Sequence, residues 1–270
     1  PFGRLLPRRD NLLNFTPEIA ASYSKKHHIP NNAHLYVSGR FDRNLVQGAV
    51  EENFAGWIQG YSSSNNLSAA SPSYRTILFD RPGAEQSTIY WGLPISHPGT
   101  ASWIGLEVLN ALLGGSFHSR ITLNIREDKG YTYSPRSMMT ARADDGIWLQ
   151  VADVTTDVTA LALSEIFKEI VSVREVAPTS DELEAIKQYM IGSFVREMSE
   201  SGSRMGHFIF SDRHNLPDSE DALYIDKVQD ISPEDLRMLA EQFIDPNRMT
   251  LSVVGDAQKI KDELEELEIL

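Results

Sequence analysis

The chain has 270 residues, 41% of them hydrophobic and 23% charged, which excludes both a small disulfide knot and global disorder and leads us to expect two domains. Twenty-five Lys and Arg against 38 Asp and Glu give a net charge of −13, the wrong sign for neutralising phosphates, so nucleic acid and anionic membranes are poor partners. The absence of Cys removes disulfides, thiolate metal ligands and a Cys nucleophile. No run reaches the ~18 apolar residues of a membrane span; the strongest, 103–113, is broken by Glu107 and Asn110. The chain opens Pro1-Phe2-Gly3-Arg4, without Met or an apolar signal core, and reads as a processed product or a piece of a longer chain.

The first patterned segment, 15–39, returns at 231–255 without a gap, at an offset of 216 and with seven identities: Pro17/Pro233, Glu18/Glu234, Pro30/Pro246, Asn31/Asn247, Leu35/Leu251, Val37/Val253 and Gly39/Gly255. Each copy places Thr16 or Ser232 before Pro-Glu, an N-cap with Pro at the first helical position and an acid in the first turn. Each then turns at Pro-Asn, runs through an apolar-rich strand to Gly and enters another helix. The repeated unit is helix, turn, strand, helix. About 155 structured residues precede the second copy beyond residue 73, but only 14 precede the first, so the first is expected to lack its front half.

Residues 59–73, rich in Ser, Asn and Ala, read as a linker. Residues 1–60 carry seven basic and five acidic groups, a net +2, whereas the remainder carries 18 against 33, a net −15; the acidity belongs to the second part. Strands are expected at 74–79 and 87–93, paired across the turn Asp80-Arg81-Pro82-Gly83. A helix over 103–113 ends at Gly114-Gly115, read as residues tolerating positive φ, and a second runs to Arg126 and closes at Gly130. Strands follow at 131–134 and 147–154, joined by a turn at 143–146, and then helices at 160–173, 181–198 and 202–213, the second capped by Thr179-Ser180. Antiparallel strands alternating with helix pairs give an α+β fold. The domains read as 1–60, a linker at 61–73, and 74–270.

None of the seven histidines has another four residues on, so neither H-E-x-x-H nor H-x-x-E-H is present. His207 and His214 share a helix face but stand too far apart to chelate one ion. Gly114 to Arg120 resembles an anion cradle at a helix start without the P-loop spacing, and a tight helix break explains its glycines. Arg126, in a last helical turn, and Tyr133, three residues past Gly130, project from one rim and together offer donors to a carbonyl oxygen. Each also has a purely structural explanation, dipole complementation for Arg126 and strand packing for Tyr133.

Three runs, Asp80-Arg81-Pro82-Gly83-Ala84-Glu85-Gln86, Leu113-Gly114-Gly115-Ser116-Phe117-His118-Ser119-Arg120 and Ile125-Arg126-Glu127-Asp128-Lys129-Gly130-Tyr131-Thr132-Tyr133-Ser134, resemble the non-catalytic C-terminal domain of the pitrilysin family of zinc metallopeptidases. The closing Ser232-Pro233-Glu234, Pro246-Asn247 and Val253-Val254-Gly255-Asp256 fit its last segment. The resemblance implies two related α+β domains, the first truncated here. It implies no cofactor in this chain, which is expected to be inactive alone, and zinc in the parent enzyme or on a partner. Arg126 and Tyr133 match the pair that binds substrate backbone; His118 stands where the family has a small residue and receives no role. The implied partners are a peptide or unfolded polypeptide substrate and the zinc-bearing half-domain or a homologous subunit, and the implied place is the bacterial cell envelope or periplasm. An inactive member serving as a scaffold or protein-binding subunit is the alternative.

Overall fold

The computed structural model describes residues 6–61, 71, 73–142 and 144–267; the expected linker falls almost wholly outside them. Cα packing separates two units, Pro1–Ser68 with Ser201–Ile209, and Ala69–Glu200 with Phe210–Leu270.

In the first unit, helix α1 (Arg9–Leu13) precedes α2 (Pro17–His27). The Thr16 hydroxyl accepts from Ile19 N, Pro17 opens the helix, and Lys25, Lys26 and His27 complement the dipole at its end. A 3₁₀ turn, Pro30–Asn32, follows. The Asn31 side chain donates to Gly60 O at 2.9 Å and accepts from Gly60 N at 3.1 Å, while the Trp57 indole donates to His28 O at 3.1 Å. Asp42 caps α3 (Arg43–Phe54) by accepting from Asn44 N and Leu45 N. The strand expected at 35–39 is not formed: residues 33–38 join no ladder. Leu35 and Val37 suit a strand, but extended backbone becomes one only where a neighbour completes its hydrogen bonds.

The second unit contains β1 (Arg75–Asp80), β2 (Gln86–Ile95), α4 (Trp103–Asn110), α5 (Arg120–Thr122), β3 (Arg136–Ala141), β4 (Gly146–Thr155), α6 (Thr159–Glu175) and α7 (Ser180–Ser199). Then come α8 (Ser201–Arg213), whose first nine residues belong to the first unit, α9 (Glu220–Asp230), α10 (Pro233–Phe243), β5 (Thr250–Gly255) and α11 (Ala257–Glu266). The fold is α+β, with one five-stranded sheet in the order β1-β5-β2-β4-β3. β1 and β2 do not pair as expected; β5 lies between them, parallel to β1 and antiparallel to β2. The strand expected at 131–134 reduces to one bridge, Thr132 to Val154, because Pro135 has no N–H to continue a ladder and pairing resumes only at Arg136.

β2 and β4 align over ten residues, with Ile89 opposite Ala152, Trp91 opposite Gln150 and Leu93 opposite Trp148. These face the core together, and Leu251 and Val253 of β5 add to the same face. Helix α10 packs against both α4 and α6, and the three bring Leu106, Leu109, Leu163, Ile166, Leu236 and Ala240 into the same buried cluster. Alternation along each strand thus covers one sheet face and leaves Phe79 and Tyr90 on the exposed side.

The segments 15–39 and 231–255 match at their caps and turns and differ beyond them. Ser232 caps α10 as Thr16 caps α2, and Pro246–Arg248 forms a 3₁₀ turn as Pro30–Asn32 does. After Gly39 the next helix starts at Arg43, but after Gly255 it starts at Ala257. The gapless offset therefore ends at the glycines.

Helix α4 leads into a π-helical turn, Ala111–Gly115. Positive φ, the expected reason for its glycines, occurs at neither. They are required by close approach: a Cβ at Gly114 would lie 2.7 Å from both Gln150 Oε1 and Ser137 Oγ. Gly114→Ala should lower stability by about 2 kcal/mol, read as a shift in urea midpoint.

Glu107 of α4 lies in the packed helical layer, where its carboxylate accepts from Trp103 Nε1 at 2.8 Å. Burial pushes its pKa up to about 7, the Trp103 bond opposes this, and the Glu220 charge adds to it. Burial likewise raises the Tyr224 phenol, with Glu107 and Glu197 contributing. A carboxyl raised in the folded state contributes fully below its unfolded value near 4.5 and loses that contribution as pH climbs through about 7. At 1.36 kcal/mol per unit the loss is about 3 kcal/mol. Glu107→Gln, which keeps the acceptor, should therefore raise Tm at pH 8 and change it little at pH 5, in parallel melts across that range.

Candidate substrate-binding site

Arg126 and Tyr133 are placed by the buried residues that precede them. Ser119 opens α5, its hydroxyl donating to Thr122 Oγ1 at 2.9 Å, and the helix widens into a second π turn, Leu123–Asp128. Ile125 is fully buried in the core. The chain then reverses at Gly130, with φ +65°, as Gly130 N donates to Arg126 O at 3.2 Å and Tyr131 N to Ile125 O at 2.8 Å. Thr132 is buried, its hydroxyl donating to Asp153 O at 2.6 Å. With Ile125 and Thr132 fixed inward, Arg126 and Tyr133 fall on the outside.

The two expected site residues are in contact. The Arg126 guanidinium carbon lies 4.9 Å from the Tyr133 ring centroid and 4.6 Å from that of Phe117, so the cation is held by two aromatic rings. Its Nε lies 3.1 Å from Glu127 Oε1, which occupies one of five donors in the guanidinium fork. Tyr133 is 83% exposed, so its phenol is open to a ligand. A preorientated cation beside a phenol can donate to carbonyl oxygens of an extended peptide. Strand packing, the structural account of Tyr133, does not hold for a side chain this exposed; Arg126 does lie in the last turn of its helix, where it also complements the dipole.

Phe117 was not singled out in the sequence because it sits among residues that read as a glycine-rich helix break. The signal for it is an exposed aromatic directly after a Gly-Gly-Ser turn. His118 is exposed and meets Phe117 edge-on at 5.2 Å. Below them, Arg120 forms a two-pronged pair with Glu182 of α7, at 2.6 and 2.7 Å. The hydrogen bonds that Arg120 donates to Glu182 raise its pKa further and keep it charged.

The donor set does not fit a zinc ion. Cys is absent, and among the described residues no three His, Asp or Glu side chains come together, whereas a catalytic zinc takes three protein ligands. Among the same residues, no helix is long and apolar enough to cross a membrane.

Residues 14–190 match the Peptidase M16 inactive domain. The chain is 27% identical over 204 residues to the uncharacterized zinc protease YmxG of Bacillus subtilis, covering 74% of this chain and 48% of that protein. It is 24% identical over 262 residues to an uncharacterized zinc protease of Streptomyces coelicolor, covering 91% of this chain and 55% of the relative. The chain thus spans about half the length of these curated relatives. A peptidase M16 inactive domain from Pseudomonas fluorescens has the same fold, with a TM-score of 0.83 and 17% identity over 92% of this chain and 59% of that one. This α+β fold is shared with that solved domain. The chain belongs to the M16 peptidase family and carries its inactive domain. The family resemblance read from the motifs is borne out.

Because Tyr133 is so exposed, Tyr133→Phe should leave Tm within about 1 °C of the parent, and Arg126→Ala, which removes a half-buried cation–π contact, should cost about 1 kcal/mol. Calorimetry on both variants checks this and separates a binding pair from a packing pair.

Proposed function

We propose that this chain is the substrate-binding, non-catalytic portion of a zinc-dependent endopeptidase, and that Arg126 and Tyr133 hold the backbone of a peptide or unfolded polypeptide. The observation that carries this reading is the clamped Arg126: two rings, 4.6 and 4.9 Å away, fix a guanidinium beside an exposed phenol. A structural arginine would not need a neighbour so exposed. Two zinc proteases among its relatives support the reading for the parent; in it, zinc sits on polypeptide outside this chain, upstream or on a partner subunit.

The first unit supports a polypeptide partner. Ile29 is the single buried hydrophobic among its described residues, whereas Phe15, Ile19, Tyr23, Leu35, Val37 and Phe41 are exposed. A folded unit buries such side chains when it can. We assign these residues to the rear half of a zinc-type domain that a homologous half or subunit completes.

The test is binding of a labelled unfolded polypeptide to this chain, followed by fluorescence anisotropy. Arg126→Ala should weaken it about tenfold or more, since charge-assisted bonds are lost, and Tyr133→Phe several-fold, both while the chain stays folded at the assay temperature. Binding that neither variant changes, or no binding at all, would favour the scaffold reading.

A further inference from the structure

A small pocket beside the clamped arginine belongs to none of the roles above. Its volume is about 190 Å³, and it lies between the chain from Leu112 to His118 and helix α7. Leu112, Phe117, Ile186 and Ala185 supply apolar wall, and Ser116 and Glu182 supply oxygen acceptors. Whole small ligands occupy roughly 300–1,000 Å³, so this space suits a single side chain.

Ser116 marks what that side chain carries. It is only 8% exposed, and its hydroxyl has no hydrogen-bond partner among the described residues, although buried hydroxyls are nearly always satisfied. The other side-chain oxygens of the lining lie on Glu182, which already accepts both bonds from Arg120, and on Tyr189, whose side chain is largely exposed to water. An aromatic ring with a donor at its tip satisfies both the walls and the orphan oxygen. Phe117 belongs to the pocket and also stacks on Arg126, so a peptide lying on Arg126 can turn a neighbouring side chain inward past that ring.

We infer that this pocket is a specificity subsite that receives one tyrosine side chain of the bound peptide. The inference rests on the substrate-binding reading of Arg126 and Tyr133, which the experiment separates from it. Labelled polar 12-residue peptides with a central Tyr, Phe or Ala are titrated into the chain. The Tyr peptide should bind at least about tenfold more tightly than the Ala peptide, from ring burial, and about fivefold more tightly than the Phe peptide, from the added hydrogen bond.

Ala185 is exposed on α7, so Ala185→Trp fills the pocket without touching the core, and it should erase the ranking. Ser116→Ala removes an unpaired hydroxyl, so the fold should be unaffected, and Tyr and Phe should become equal. A ranking that survives Ala185→Trp, or a Tyr preference that survives Ser116→Ala, overturns the subsite. Equal binding of all three peptides, weakened by Arg126→Ala, also overturns the subsite and leaves the backbone reading standing. If Ala185→Trp erases a ranking that Arg126→Ala does not weaken, the backbone reading is overturned instead.

Discussion

The ten-residue antiparallel ladder between β2 and β4 is the constraint on which the second unit depends. Its register puts Ile89, Trp91 and Leu93 on the same face as Ala152, Gln150 and Trp148, and a slip of one residue would turn all of them to solvent. The same ladder carries the far end of β4 to the rim. There Asp153 accepts from Thr88 through its side chain and from Thr132 through its carbonyl. Tyr133 stands beside Arg126 because Thr132 is tied to that strand end, so the position of this pair is a by-product of core packing.

The helical turns on either side of Phe117 depart from α geometry. Both Ala111–Gly115 and Leu123–Asp128 carry the wider π spacing, equivalent to one extra residue in a turn and common where a helix must re-aim a side chain for function. Here the residues that follow or lie within these turns are Phe117 and Arg126. Close packing of Gly114 on Gln150 and Ser137 holds the first turn against the sheet, so the aromatic that touches the arginine grows from a rigid base.

Features decided within a few residues were legible in the sequence. Thr16, Thr179 and Ser232 cap their helices as read, because a cap needs only the side chain and the next three amides. Most helices of the second unit were legible from apolar spacing. Strand order was not, since nothing in the two opening strands says that a segment near residue 250 will come between them. The break at Pro135 was visible in the sequence, but the β-rich run before it hid its effect. The arginine and tyrosine were singled out through spacing and resemblance, whereas the contact of Arg126 with Phe117, and the pocket that Phe117 borders, depend on two turns meeting in space. Glu107 read only as an interruption in an apolar run; its burial follows from how other helices cover α4.

The insertion of β5 between β1 and β2 has a bearing on how the polypeptide is made. Arg75 pairs with Thr250, about 175 residues further on, so during synthesis β1 waits for those residues before its neighbour exists. Until then β2 has an open edge and Ile89 and Trp91 lack the cover of Leu251 and Val253. Such long-range closure is slow and leaves sticky strand edges exposed in the meantime. A nascent chain of this design has reason to engage a chaperone until β5 (Thr250–Gly255) emerges.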